Sequence, residues 1–245
     1  MLSNKDMKRY NKKNDYSYTF GAFPTYELLE NRPENVEKIL IHSTASKEIY
    51  DKIKLLCDKN DIPLVINDKL LEKLREKDSC IVVGVFHKFQ CEMEKGENHV
   101  VLVNPSDTGN MGTIIRTCIG FGIRNLAIIE PAVDIFNPKV IRASMGSLFH
   151  LNYKYFSSFE EYATVYGADR CMYPFMLKGA KKLGAFPLDR DCAFSLIFGN
   201  EATGLDDSFL KVGQSLRISH SDAIDSLNLS LAAGIAIYEF TKNYF

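Results

Sequence analysis

The sequence predicts an α/β protein in which a mostly parallel β-sheet forms the core of the second half. Short apolar runs alternate with helical patterns along residues 99–245, which is typical of a sheet covered by helices on both faces. The first half alternates in the same way over shorter segments. With 245 residues, 46% hydrophobic and 25% charged, the chain has an ordinary globular composition and the length for two modest domains.

The first half is predicted to consist of a tail and one small domain. Residues 1–15 are polar and basic without hydrophobic periodicity, which favours a basic flexible tail. Residues 16–89 are predicted to form a small α/β domain, because strand and helix patterns alternate there. Its predicted strands are 38–42, 63–66 and 80–86, and its predicted helices are 24–31, 46–59 and 68–77.

The second half is predicted to be a separate domain at 99–245, after a polar linker at 90–98. Its predicted strands are 99–103, 125–130, 151–156, 170–173, 193–199 and 216–219. Its predicted helices are 110–121, 138–145, 158–166, 206–212 and 226–241. Ligands of parallel sheets bind beyond the carboxyl ends of the strands, so the loops 104–110, 199–205 and 220–226 are expected to form one site.

The stretch from Asn104 to Gly122 combines loop chemistry with an amphipathic helix. An apolar stripe at helical spacing is formed by Met111, Ile114, Ile115, Cys118 and Ile119. Asn110 is the predicted N-cap, and Arg116 stands on the polar side. The free NH groups at the helix start would favour an anion such as a phosphate. The simpler interpretation is a half-buried helix with a surface arginine.

Two further stretches follow later strands. In the first, Gly199, Asn200 and Glu201 end an apolar run, and glycines there allow a ligand to approach the backbone closely. The pattern is neither a Walker loop nor a dinucleotide fingerprint, and the alternative is a tight turn with Asp206 as an N-cap. In the second, Ser226 is a possible N-cap of a nearly all-apolar helix. Asn228 near its start requires a hydrogen-bond partner, either a ligand or a second subunit.

Together the three stretches resemble the three motifs of the SpoU/TrmH family of RNA ribose 2′-O-methyltransferases. The resemblance covers about residues 98–245, and the segment 143–151 is also similar to the one this family carries between its first two motifs. Residues 19–86 resemble the small L30e-like RNA-binding domain often fused in front, although TFGAFPTYELL departs from its usual glycine-arginine opening.

The resemblance implies an α/β knot, S-adenosylmethionine as cofactor and a homodimer formed through the knot domain, with the last helix and the first-motif helix at the interface. The implied catalytic residues are Arg116, Asn110, Glu201, Ser226 and Asn228. The implied cofactor-binding residues are Gly199, Ile218, Leu227, Phe198 and Asn200. The expected RNA contacts are Arg116, Lys178, Lys181 and Lys182.

The expected reaction is 2′-O-methylation of structured RNA, with ribosomal RNA favoured over tRNA by the two-domain layout. The alternatives are a tRNA 2′-O-methyltransferase and a catalytically silent RNA-binding knot protein. One departure from the family is that Ser219 and His220 stand where a proline, often followed by a methionine, is usual. His220 is then either an acid or base near the site or an exposed loop histidine.

Composition limits the other functions. The net charge of −1 means that any RNA contact must come from local basic patches. The six cysteines have no CxxC spacing and the five histidines form no HExxH pattern, so neither a disulfide framework nor a metal site is expected. No apolar run has the length of a membrane span and no signal peptide is recognisable, which predicts a cytoplasmic protein without membrane contact.

Overall fold

The computed structural model describes residues 7–75, 79–185 and 192–245. The chain divides into two compact units, and neither is one continuous stretch. The first unit comprises residues 1–89 together with Asp134–His150, and the second comprises Gln90–Val133 together with Leu151–Phe245. Within the described residues, no helix is both long enough and apolar enough to cross a membrane.

The order of elements confirms the predicted alternation of strands and helices. The strands are β1 (Tyr16–Phe20), β2 (Val36–Ile41), β3 (Leu64–Ile66), β4 (Val82–His87), β5 (His99–Val103), β6 (Asn125–Ile129), β7 (Asn152–Phe156), β8 (Cys171–Pro174), β9 (Lys181–Lys182), β10 (Phe194–Phe198) and β11 (Leu216–Arg217). The helices are α1 (Ala22–Asn31), α2 (Lys47–Lys59), α3 (Asp68–Leu74), α4 (Thr108–Gly120), α5 (Pro138–Ala143), α6 (Phe159–Tyr166) and α7 (Leu229–Thr241). The predicted helix at 206–212 is a short 3₁₀ helix at Asp207–Lys211.

The first unit contains a four-stranded sheet in the order β1-β4-β2-β3. β4 runs antiparallel to both β1 and β2, and β2 runs parallel to β3. The sequence analysis did not predict β1, although all its residues are buried. Its alternate residues are polar, so it lacks an apolar run, and Ser17 satisfies its hydroxyl by donating to the Phe136 carbonyl at 2.6 Å.

The predicted flexible tail is corrected at Met7 and Tyr10, which pack into the first unit, whereas most other residues of 7–15 are exposed. Met7 is fully buried, and its carbonyl accepts from Lys73 Nζ at 3.1 Å. The hydroxyl of Tyr18 donates to the Lys8 carbonyl. A few apolar residues along a basic segment are enough to hold it in place, because they pack against the core of the sheet. Residues 1–6 lie outside the described part of the chain.

The segment Asp134–His150 belongs to the first unit, although its sequence position suggested the second domain. The ring centroids of Phe149 and Phe86 are 5.3 Å apart in an edge-to-face arrangement, and those of Phe136 and Phe89 are 5.0 Å apart. Lys88 pairs with Asp134 at 2.8 Å. These contacts join residues that are distant in sequence, so local patterns could not reveal them.

The second unit contains a five-stranded sheet in the order β7-β6-β5-β10-β8. Every neighbouring pair in it is parallel, as the sequence predicted. α4 packs on α7, and the predicted apolar stripe of α4 is buried or half-buried. Because the strands are parallel, the loops that follow β5 and β10 emerge at the same edge of the sheet.

Two predicted helix starts are corrected by the structure. α4 begins at Thr108, and its N-cap is Asp107 rather than Asn110, whose backbone NH donates to Asp107 Oδ1 at 2.7 Å. α7 begins at Leu229, and its N-cap is Asn228 rather than Ser226. Asp107 and Asn228 have the short acceptor side chains that caps require, and their positions leave the Asn110 side chain available for other contacts.

A buried polar network lies at the amino ends of β5 and β10. The His99 ring contacts the Tyr162 hydroxyl and the Glu94 carbonyl, each at 2.9 Å. A carbonyl only accepts, so Nε2 carries the hydrogen and Nδ1 accepts from Tyr162. Burial first, and then the Arg170 charge, lower the pKa of His99 to about 3, which keeps the ring neutral. Tyr162 also contacts Ser195 at 2.6 Å, and Ser195 accepts from Arg170 at 3.0 Å.

The same network fixes residues 90–98, which were predicted to be a linker. The buried Arg170 donates to the Lys95 carbonyl at 2.6 Å and to the Glu97 carbonyl at 3.0 Å. The Glu94 NH donates to Asn125 Oδ1 at 3.0 Å. This part of the chain is therefore packed against the sheet of the second unit.

Replacing Arg170 is expected to destabilise the protein. Arg170→Leu should lower the free energy of unfolding by about 2–4 kcal/mol, because several buried carbonyls lose their donor. Arg170→Lys should lose less, since it keeps the charge but donates from one nitrogen. Urea denaturation followed by circular dichroism measures both. A loss below about 0.5 kcal/mol for Arg170→Leu would contradict the assigned role.

Candidate active site

Three loops meet at the carboxyl ends of β5 and β10. The loop after β5 contacts the loop after β10 through Asn200, whose Nδ2 donates to the Asn104 carbonyl at 2.8 Å. Asn200 Oδ1 accepts from the NH groups of Ala202 and Thr203 at 2.9 and 3.3 Å, which shapes its own turn. One side chain therefore both forms the second loop and joins it to the first.

The carboxylate of Glu201 makes the stronger connection between these loops. Its Oε2 accepts from the Ser106 hydroxyl at 2.7 Å and from the Ser106 NH at 3.1 Å. Its Oε1 accepts from the Asp107 NH at 3.1 Å and from Asn110 Nδ2 at 3.4 Å. Hydrogen bonds to an ionised acceptor are about twice as strong as those between neutral groups.

These contacts keep Glu201 ionised. Partial burial raises the pKa of Glu201, but the Ser106 hydroxyl and the surrounding backbone NH groups outweigh that effect. The pKa consequently lies below its ordinary value of 4.5. Near neutral pH the loop is held by a full negative charge that faces several donors.

The third loop joins the same network at the start of α7. Asn228 Nδ2 donates to Asn110 Oδ1 at 3.0 Å. Asn228 Oδ1 accepts from the NH of Ser230 at 2.9 Å and so caps α7. Asn110 therefore bridges Glu201 and Asn228, and a continuous chain of hydrogen bonds links all three loops.

A cavity of about 570 Å³ lies among these loops. It is lined by residues 198–207 together with apolar residues from other elements, among them Phe175, Met176 and Leu227. Phe175 and Phe198 stack there with ring centroids 4.8 Å apart and an interplanar angle of 15°. A cavity of this size suits a ligand of nucleoside dimensions, since small-molecule sites enclose about 300–1,000 Å³.

Glycine is required where the second loop turns back on itself. A Cβ atom at Gly199 would lie 2.1 Å from the backbone carbon of Gly204. Gly204 adopts a φ of +69°, a conformation that residues with side chains rarely adopt. Glycine at both positions therefore allows this part of the cavity wall to turn tightly.

The structure brings together most residues that the sequence predicted for the site. The predicted residues that line the cavity are Phe198, Gly199, Asn200, Glu201, Ile218, Ser226, Leu227 and Lys178. Asn110 and Asn228 do not line the cavity but belong to the hydrogen-bond network that joins its loops. His220 also lines the cavity, with Nδ1 3.0 Å from the Ser221 carbonyl.

Three predicted RNA contacts lie outside the cavity lining. Arg116 is exposed on α4 and makes no hydrogen bond or ion pair with any residue that the structure describes. Lys181 and Lys182 are exposed on β9. The sequence analysis missed Ser106 and Asp107 as partners of Glu201, although the polar run after β5 was the available signal.

These features define an α/β unit with a parallel sheet, in which the carboxyl-end loops line a cavity of a size that suits a small ligand. Residues 97–238 match the model of the SpoU rRNA Methylase family, which is more than half of the chain. The chain belongs to this family.

Two relatives are RNA methyltransferases by name. A 23S rRNA (guanosine(2553)-2′-O)-methyltransferase of Bacillus subtilis is 27% identical over 160 residues, which cover 64% of this chain and 63% of the relative. A 23S rRNA (adenosine(1067)-2′-O)-methyltransferase of Streptomyces azureus is 26% identical over 226 residues, covering 86% of this chain and 82% of the relative. Putative tRNA (cytidine(34)-2′-O)-methyltransferases match 58% of this chain. The chain spans about half to just under two thirds of the length of several curated relatives that it matches, the Bacillus subtilis protein among them.

The fold recurs in a solved structure. The SpoU methyltransferase AviRb from Streptomyces viridochromogenes, in complex with AdoMet, superposes with a TM-score of 0.78 at 22% identity. The superposition covers 94% of this chain and 91% of that chain. At that identity the likeness concerns the fold.

Gly199→Ala is expected to disrupt the cavity. The added methyl group would collide with the Gly204 backbone, which should lower the free energy of unfolding by about 1–3 kcal/mol. Gly120→Ala is the matched control, because nothing lies within 4 Å of its Cβ position at the end of α4. The control should be neutral or stabilising by up to about 1 kcal/mol. Thermal unfolding of the two variants compares their stabilities. Equal transition temperatures would contradict the requirement for glycine at position 199.

Glu201→Gln is expected to change how the free energy of unfolding depends on pH, because it removes the negative charge of the Glu201 carboxylate. A carboxylate with a lowered pKa stabilises the fold above its ordinary pKa of 4.5, and this stabilisation is lost as pH falls through the lower folded-state value. Wild type should therefore be more stable than Glu201→Gln near neutral pH, and the difference should shrink in acid. Urea midpoints across pH measure it, with the exposed Glu160→Gln as control. A difference independent of pH would contradict the assigned charge.

Proposed function

We propose that this protein transfers a methyl group from S-adenosylmethionine to a ribose 2′-hydroxyl of structured RNA. The observation that carries the proposal is the hydrogen-bond network that joins three loops beside a cavity in a chain of the SpoU family. Ribosomal RNA is favoured as substrate. The Streptomyces azureus relative, whose match extends over 86% of this chain, is named for 23S rRNA. A tRNA substrate is the second candidate.

The cavity fits S-adenosylmethionine in size and lining. Gly199, Ile218 and Leu227 in the cavity wall would hold the cofactor, with Phe198 and Asn200 beside them. When bound, S-adenosylmethionine supplies an electrophilic methyl group on a sulfonium. Glu201 places a negative charge in the same wall, which suits a cationic ligand.

Arg116 is proposed to bind a phosphate of the RNA and to stabilise the negative charge that develops on the ribose oxygen. Arginine keeps its proton in proteins, so it acts as a donor and not as the base. Ser226, Asn110 and Asn228 orient the loops and the ribose. The hydroxyl proton leaves to another group or to water.

A homodimer is proposed to place Arg116 at the partner's cavity. α7 exposes Leu231, Ile235 and Tyr238, with exposed fractions of 61%, 43% and 54%. Their spacing puts them along one face, and such an apolar face is typical of an interface. The small residues Ala233 and Ala236 lie away from this face, and Gly234 is next to Thr117 of α4, so they let α7 pack closely within the chain.

Two further parts of the proposal concern the role of the first unit and the topology of the C-terminal segment. The first unit is proposed to bind RNA as an L30e-like domain, and the C-terminal segment is proposed to form the knot typical of the family. Lys178, Lys181 and Lys182 would contact phosphates. The location that follows from an RNA substrate of this kind is the cytoplasm.

Arg116→Ala should separate the enzyme from a catalytically silent RNA-binding protein. Transfer of radiolabelled methyl groups to ribosomal RNA lacking the modification should fall by roughly a hundredfold or more, with the dissociation constant for S-adenosylmethionine unchanged. Arg124→Ala, an exposed arginine just after α4, is the matched control and should keep full activity. Near-normal transfer by Arg116→Ala would exclude the assigned role. No cofactor binding by the wild type at millimolar concentration would exclude the enzyme.

A further inference from the structure

A two-stranded ribbon formed by β9 and β11 extends the sheet edge beside the cavity. After β8 the chain continues to Phe175, which bridges Leu216, and then to β9, which pairs in parallel with β11. Leu216 is fully buried and anchors β11. The Ser215 hydroxyl accepts from the Ala180 NH at 3.1 Å, and the Ser215 carbonyl accepts from the Lys181 NH at 3.2 Å. Backbone contacts therefore define this β9–β11 ribbon.

The two strands approach each other closely because of Gly179. A Cβ atom at Gly179 would lie 2.4 Å from the backbone carbon and oxygen of Leu216. A larger residue would force the strands apart. The ribbon is thus held by its backbone and by Leu216, and its charged side chains are not needed to form it.

The ribbon carries three exposed cations, Lys181, Lys182 and Arg217. Lys182 and Arg217 share one face of the ribbon, and Lys181 lies on the other face, because successive strand residues point to opposite sides. Lys182 and Arg217 are register partners, and like charges directly opposite each other destabilise a β-ladder. Within the described ranges, none of the three forms an ion pair, whereas Lys154 and Lys242 of the same unit do. Like charges that lie together on the ribbon and that the fold does not require indicate an anionic partner.

The ribbon leads directly to the cavity. Ile218, the residue after Arg217, lines the cavity wall. Lys178, just before β9, lines the same wall and pairs with Asp207 at 3.2 Å, both side chains being mostly exposed. An anion bound along the ribbon would therefore extend from the mouth of the cavity.

We propose that the β9–β11 ribbon binds the phosphate backbone of the RNA strand that carries the target ribose, with Arg217 as an additional contact beside the lysines. This inference rests on the proposed function, because the bound strand is the substrate. Arginine donates in a fork that matches a phosphate, and lysines supply point charges. Contacts of this kind position a strand without reading its sequence.

The test is the salt dependence of RNA binding by Lys181→Ala/Lys182→Ala/Arg217→Ala. Fluorescence anisotropy with a labelled oligouridylate is measured across a range of NaCl concentrations. Each lost phosphate contact on a single strand should reduce the slope of log K against log salt by about 0.7, so the triple variant should lose about 2. Arg217→Lys should keep nearly the full slope, because the charge remains.

Lys154→Ala is the matched control, because Lys154 lies on β7 at the opposite edge of the sheet and pairs with Glu92. It should leave the slope unchanged. Titration with S-adenosylmethionine is repeated on every variant, and unchanged cofactor binding by the triple variant shows that its fold is intact. A triple variant that binds the cofactor normally and keeps the wild-type slope would overturn the ribbon proposal alone. A wild type that binds neither cofactor nor RNA would instead overturn the proposed function.

Discussion

The ionised carboxylate of Glu201 is the constraint on which the candidate site depends. It stands at the end of a buried strand and accepts hydrogen bonds from the start of the neighbouring loop and helix. Partial burial alone would favour its neutral form, but the donors around it reverse that preference. One charge in one loop therefore fixes the position of a second loop.

The rest of the site follows from that arrangement. Because Asp107 caps α4, the Asn110 side chain is free to bridge Glu201 and Asn228. Asn228 in turn caps α7, so the network sets the start of the last helix. The parallel sheet is the precondition, since it delivers the loops after β5 and β10 to the same edge. Glycine at position 199 then lets the second loop fold back tightly enough to leave a cavity.

Much of this arrangement could be predicted from the sequence. The alternation of strands and helices and the buried stripe of α4 follow from periodicity. The cluster of cavity-lining residues was implied by the resemblance of three stretches to the SpoU/TrmH motifs. The N-cap of α4 could not be chosen correctly, because Asp107 and Asn110 are both suitable residue types and the choice depends on Glu201, far away in the sequence. The start of α7 poses the same difficulty, because Ser226 and Asn228 both suit a cap and the contact with Asn110 lies outside any local pattern.

The largest departures concern the first unit. β1 lacks an apolar run because its polar residues are satisfied inside the protein, as Ser17 is by Phe136. The segment 134–150 leaves its sequence neighbours and packs in the first unit through Phe149 and Asp134. Met7 holds a basic segment that composition alone would assign to solvent. Each of these outcomes depends on long-range packing, which no local pattern encodes.

A double-mutant cycle tests the central claim, that a continuous hydrogen-bond network joins the three loops. Free energies of unfolding are measured for wild type, Glu201→Gln, Asn228→Ala and the double variant. The two side chains communicate through Asn110, so the account predicts a coupling free energy of about 1 kcal/mol. Additive losses, within about 0.3 kcal/mol, would contradict it and would mean that the loops are held independently.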